Sequence, residues 1–81
     1  MMIPDRTKQT IDDYVKHGWN PGGFVTAVLA NDLMNSFGRA DEENQVAMLS
    51  IVKYVYNNTP MSCHGSYEAV NAWLKHERLG E

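Results

Sequence analysis

One cysteine, Cys63, is too few for the chain to cross-link itself. Three scattered histidines add little to it, and a structural zinc site takes four ligands at tight spacing. No apolar run approaches the ~20 residues that a helix needs to span a bilayer, so a membrane partner is not expected. The opening residues Met1-Met2-Ile3-Pro4-Asp5 lack the basic stretch followed by an apolar stretch that marks a secretory signal. Positive charge is also scarce. Seven basic side chains against ten acidic ones leave a net charge of −3, and the basic residues are spread over the whole chain. They form no stripe able to neutralise a run of phosphates, which argues against nucleic acid as a partner. These absences describe an intracellular protein in a reducing compartment, with no motif that calls for a cofactor or a metal.

Size then becomes the problem. Eighty-one residues make one domain, 1–81, and such a chain buries only about 60% of the surface its unfolded form exposes. Small domains make up the deficit with disulfides, a metal or a second subunit. With the first two excluded, the expectation is a homo-oligomer.

Punctuation and periodicity predict an all-α fold, a compact bundle of about four helices. The first runs from Asp5 or Thr10 to His17 and stops at Gly18. The second opens at Asn20-Pro21, a favoured cap followed by a favoured first residue, and continues to Phe37 before Gly38. Its apolar side chains nearly surround the axis, which predicts that residues 21–37 form the buried central helix. Asp41 caps a third, whose apolar stripe is Met48, Leu49, Ile51, Val52, Val55 and Tyr56. Ser66 caps a last helix with Val70, Trp73 and Leu74 inward. Residues 1–4 and 77–81 read as frayed ends.

Three features could carry chemistry. Gly22 and Gly23 leave the N–H groups at a helix start without side-chain cover, so an anion could approach; close packing by Trp19 or another helix explains the pair equally well. Asn31, Asp32 and Asn35 put polar groups on an otherwise apolar helix. A buried carboxylate needs a partner, and Arg39 with Asp32 or with Asp41 is the natural pair. The alternative is that Asn31 and Asp32 recognise a ligand or a second subunit. The loop Ser62-Cys63-His64-Gly65-Ser66 sets a thiol beside an imidazole, yet neighbours in a loop rarely hold the geometry of a catalytic dyad. It reads better as a turn, with or without a pocket behind it.

The order His17-Gly18, Pro21-Gly22-Gly23-Phe24, Ala27-Val28-Leu29, Asn31-Asp32-Leu33, Gly38-Arg39-Ala40-Asp41, Asn44, then Pro60, Cys63 and Gly65-Ser66 resembles a group of short proteins from tailed phages and prophages. The resemblance covers roughly residues 11 to 75. It implies a phage origin and no mechanism, and it marks Asn31, Asp32, Arg39 and Asp41 as a signature beyond core packing. The leading expectation is a non-catalytic phage accessory protein in the host bacterial cytoplasm, binding a small anionic or nucleotide-like ligand to counter host defence. Its site residues would be Asn20, Gly22, Gly23, Asn31, Asp32, Arg39, Asp41, Ser62, His64 and Ser66. The alternatives are an interaction module that inhibits a host or phage protein, a small hydrolase using Asp32, Asp41 or His64, and last a DNA-binding helix-turn-helix, for which neither candidate recognition helix is basic.

Overall fold

The computed structural model describes the backbone of residues 3–79 and side-chain surroundings as far as His76. Those residues are all-α: α1 (Asp5–His17), α2 (Gly22–Leu29), α3 (Leu33–Arg39), α4 (Glu42–Val46), α5 (Met48–Asn58) and α6 (Tyr67–Leu79), with a 3-10 turn at Met61–Cys63 between the last two. Pro4 fixes the start of α1, and Gly18, at φ 68°, returns its N–H to the Tyr14 carbonyl. That is the αL stop that glycine makes without a Cβ penalty. Thr10, expected as a second cap, lies inside α1 and donates its hydroxyl to the Arg6 carbonyl at 2.8 Å.

The core is made by Ile11 and Tyr14 of α1, Val25 and Leu29 of α2, Ile51 and Val55 of α5, and Val70 of α6. Tyr14 sits at its centre, fully buried. Its hydroxyl donates to the Cys63 carbonyl at 2.7 Å, and the Trp73 indole N–H donates to the Tyr14 carbonyl at 3.1 Å. One residue thereby fastens α1 to both the 3-10 turn and α6. A second tie is buried between α1 and α4, where the Thr7 hydroxyl donates to the Asn44 side chain at 2.7 Å.

The expected central helix over 21–37 is two helices. Asn31 adopts φ 62°, a conformation that asparagine tolerates better than most L-residues. Around it the Asp32 N–H reaches back to the Ala27 carbonyl at 2.9 Å and the Asn31 N–H to the Val28 carbonyl at 3.1 Å. This pair of bonds closes α2 as a Schellman motif with asparagine in the place usually held by glycine. Asp32 then starts α3, its carboxylate taking the Asn35 side-chain amide at 2.7 Å and, more weakly, the Asn35 backbone N–H at 3.4 Å. Asn31-Asp32 is therefore a stop followed by a start. Only the first half is core; in α3 Ser36 is buried while Leu33, Met34 and Phe37 face solvent.

The expected third helix also breaks, at Ala47, whose φ −88° and ψ 4° separate α4 from α5. Half of its apolar stripe turns inward, through Met48, Ile51 and Val55, and half, Leu49, Val52 and Tyr56, stays exposed. Helix α6 starts as expected, with the Ser66 hydroxyl accepting the Ala69 N–H at 3.0 Å, and it runs to Leu79, into the expected frayed end. Met1, Met2, Gly80 and Glu81, the outer parts of the expected frayed ends, lie outside the described residues.

Candidate functional site

The start of α2 is shaped by its two glycines for different reasons. Gly22 has φ 82°, so it turns the chain into the helix through a conformation that a side chain resists. Its N–H donates to the Asn20 side-chain oxygen at 2.9 Å. Asn20 thus acts one position earlier than a cap on α2 would, and Pro21 precedes the helix instead of opening it. Arg39 lies against the bare backbone of Gly23. A Cβ at residue 23 would stand 2.8 Å from Arg39 Nη1. The guanidinium, not Trp19, lies against the glycine backbone.

Asn20, Gly22, Gly23 and Arg39 line one pocket of about 280 Å³, completed by Thr26 and Tyr67. Arg39 makes no hydrogen bond or ion pair with the described residues. The expected pairing of Arg39 with Asp32 or Asp41 is not formed, because both carboxylates are otherwise engaged. Asp41 pairs with Arg6 across the α1–α4 contact and accepts the Asn44 N–H at 2.9 Å as the cap of α4. Asp32 accepts the Tyr67 hydroxyl at 2.6 Å together with the Asn35 amide. Those hydrogen bonds, Tyr67 first, hold its carboxyl below the ordinary carboxylate value, with the more distant Arg39 adding a smaller effect in the same direction. The same bond raises the Tyr67 phenol above its ordinary value, so Tyr67 stays protonated and its ring is oriented beside the pocket.

The other expected site residues do not join this pocket. Asn31 and His64 lie together in a separate groove with Val28, Val52, Val55 and Tyr56. His64 Nε2 is buried there without a hydrogen-bond partner among the described residues. Ser62 is exposed on the 3-10 turn, and Ser66 is used as the cap of α6. Cys63 is fully buried, and burial pushes its thiol up, away from the thiolate a nucleophile needs. The loop as a whole is held by the Gly65 N–H, which donates to the Leu29 carbonyl at 2.7 Å. Among the described residues no three His, Cys, Asp or Glu side chains gather as metal ligands, and no helix is long and apolar enough to cross a membrane.

Thr26 and Tyr67 were not anticipated. Thr26 sits one turn after Gly22 on the same face of α2 and was legible as such. Tyr67 is brought in by α6 from far along the chain, and no local pattern signals that. A wider and shallower cleft of about 490 Å³ between the start of α1 and α5 includes Lys8, Lys53, Asp5 and Tyr54. Its Tyr54 hydroxyl donates to Asp12 at 2.5 Å, and Lys8 lies over the Tyr54 ring. Those contacts tie α1 to α5.

The fold and the pocket define a small all-helical protein whose Arg39 guanidinium, unpaired among the described residues, lies over a bare helix start. Compared with family models, with curated proteins and with solved structures, the chain matches none.

Proposed function

We propose that the protein is a non-catalytic phage accessory protein of the host bacterial cytoplasm. It holds a small anionic, nucleotide-like ligand in the pocket of Asn20, Gly22, Gly23, Thr26, Arg39 and Tyr67, and thereby withdraws a molecule on which host defence depends. The observation that carries this reading is Arg39. Its guanidinium lies against the Gly23 backbone without an acidic partner among the described residues, although two carboxylates were near enough in sequence to take it. Guanidinium and helix-start N–H groups are the usual donors to phosphate or carboxylate oxygens. The Tyr67 ring offers a flat apolar surface beside them, and the volume suits one anionic head group with part of a ring. The phage origin rests on the resemblance of the motifs.

A hydrolase has less support. Asp32 is held ionised by neutral donors and so is not poised to give a proton, and Asp41 is occupied in a cap and an ion pair. The interaction-module reading is supported by the exposed apolar side chains of α3 and α5.

Thermal shift against inorganic phosphate and a panel of mono-, di- and cyclic nucleotides tests the proposal. A ligand at one hundred times its dissociation constant adds about 2.7 kcal/mol, and each kcal/mol moves the midpoint of so small a domain by roughly 4–8 °C. Arg39→Gln should remove that response while leaving the unliganded midpoint near the wild-type value. No shift with any compound, or a shift that Arg39→Gln leaves intact, sinks the proposal. Gly22→Ala is a poor probe, since its positive φ makes it destabilising whether or not a ligand binds.

A further inference from the structure

Helix α5 has a wider apolar arc than the core uses. At 100° per residue, Met48, Ile51, Val55, Val52, Tyr56 and Leu49 span roughly 160° of its circumference, against the ~100° typical of a surface helix. The core takes the half holding Met48, Ile51 and Val55; Leu49 and Tyr56 remain 66% and 75% exposed. Helix α3 does the same with Leu33 and Phe37, which lie one turn apart on one face, and with Met34 at 84% exposed. The two exposed faces adjoin. Val28, Asn31 and Val52 line both of two grooves, one bounded by Leu33 and Ser36, the other by Tyr56 and His64. Gln45 of α4 donates its side-chain amide to the Phe37 and Ala40 carbonyls and so ties α4 to the end of α3.

We infer that this face binds a second copy of the chain. At their fractional exposures, Leu33, Met34, Phe37, Leu49, Val52 and Tyr56 present on the order of 700 Å², close to the ~800 Å² that each partner contributes to a standard interface. The patch is also suited to self-pairing. A two-fold contact brings like charges together near its axis, and among the residues lining the grooves only Asp32 is an acid or a strong base, its carboxylate being turned to Tyr67 and Asn35. Grooves and protruding side chains occur in the same patch, as an isologous contact requires. On α3, Arg39 points to the other side of the buried Ser36 from Leu33 and Phe37, so the dimer leaves the anion pocket open. The inference does not rest on that pocket.

Sedimentation velocity with light scattering on the purified full chain tests it. Wild type should run at twice the 9.2 kDa chain mass, and its melting midpoint should rise with protein concentration. Leu49→Glu should weaken the dimer on the order of a hundredfold, because a two-fold contact carries the substitution twice. Leu49 is outside the core, so its circular dichroism should stay helical and its midpoint should lose the concentration dependence. Val52→Glu serves as the second variant. Wild type at one chain mass up to about millimolar concentration overturns the inference. So does a dimer that both folded variants leave intact, or a monomer that binds a different protein tightly through this face.

Discussion

Gly22–Leu29 and Leu33–Arg39 are neighbours of nearly equal length, and they meet opposite fates. The first sends Val25, Ala27 and Leu29 into the core; the second buries only Ser36 and turns Leu33, Met34 and Phe37 to solvent. The first is also the richer in apolar side chains, five of eight residues against three of seven. Their directions part in the turn between, where Asn31 bends the chain through φ 62° and Asp32 restarts it. An apolar helix face that the core has no room for is then available to something else, and the polar face of the same helix delivers Arg39 to the glycines of α2.

The comparison can be broken most forcefully at Leu29, 1% exposed and part of the buried core cluster. Leu29→Ala should cost about 2–5 kcal/mol in denaturant unfolding. The turn comes next. Asn31→Val should cost about 1–2 kcal/mol, since a β-branched residue resists positive φ, whereas Asn31→Gly should be tolerated. Equal midpoints for these two variants would show that the break does not depend on that conformation.

Alkaline pH sharpens the contrast from the core side. Burial raises the Tyr14 phenol well above its ordinary value of 10.0, and the hydrogen bond to Asp12 pushes Tyr54 up to about 12. The folded chain therefore keeps protons that the unfolded chain releases above pH 10. Stability fully present below that pH should fall as pH rises through 10 toward 12. Denaturant titrations at pH 8, 10 and 11 should show this decline, and Tyr54→Phe should lessen it. The smallest effect belongs to the exposed half. Met34→Ala should change the unfolding free energy of the dilute protein by less than about 0.5 kcal/mol.

Much of the site was legible one residue at a time. Asn20, Gly22, Gly23 and Arg39 stand out by type, and they do share a pocket. Their partnerships were not legible. Arg39 was expected beside Asp32 or Asp41, but Arg6 reaches Asp41 from 35 positions away and Tyr67 reaches Asp32 from the same distance along the chain. Asn31 and His64 were grouped with the glycines, and they lie in the apolar groove instead. Such pairings depend on how helices stack, and nothing in the local pattern encodes that.

The all-α class, the stop at Gly18 and the caps at Asp41 and Ser66 follow from residue type, because φ preference and short-range hydrogen bonds act within a few residues, whereas the break at Asn31-Asp32 inside an apolar run did not announce itself. Periodicity also shows which helix faces are apolar. Which of those faces the core takes is settled only by tertiary packing. Burial depends on the volume left between α1, α2, α5 and α6, and that volume closes around Tyr14 before it can take in Leu33, Phe37, Leu49 or Tyr56.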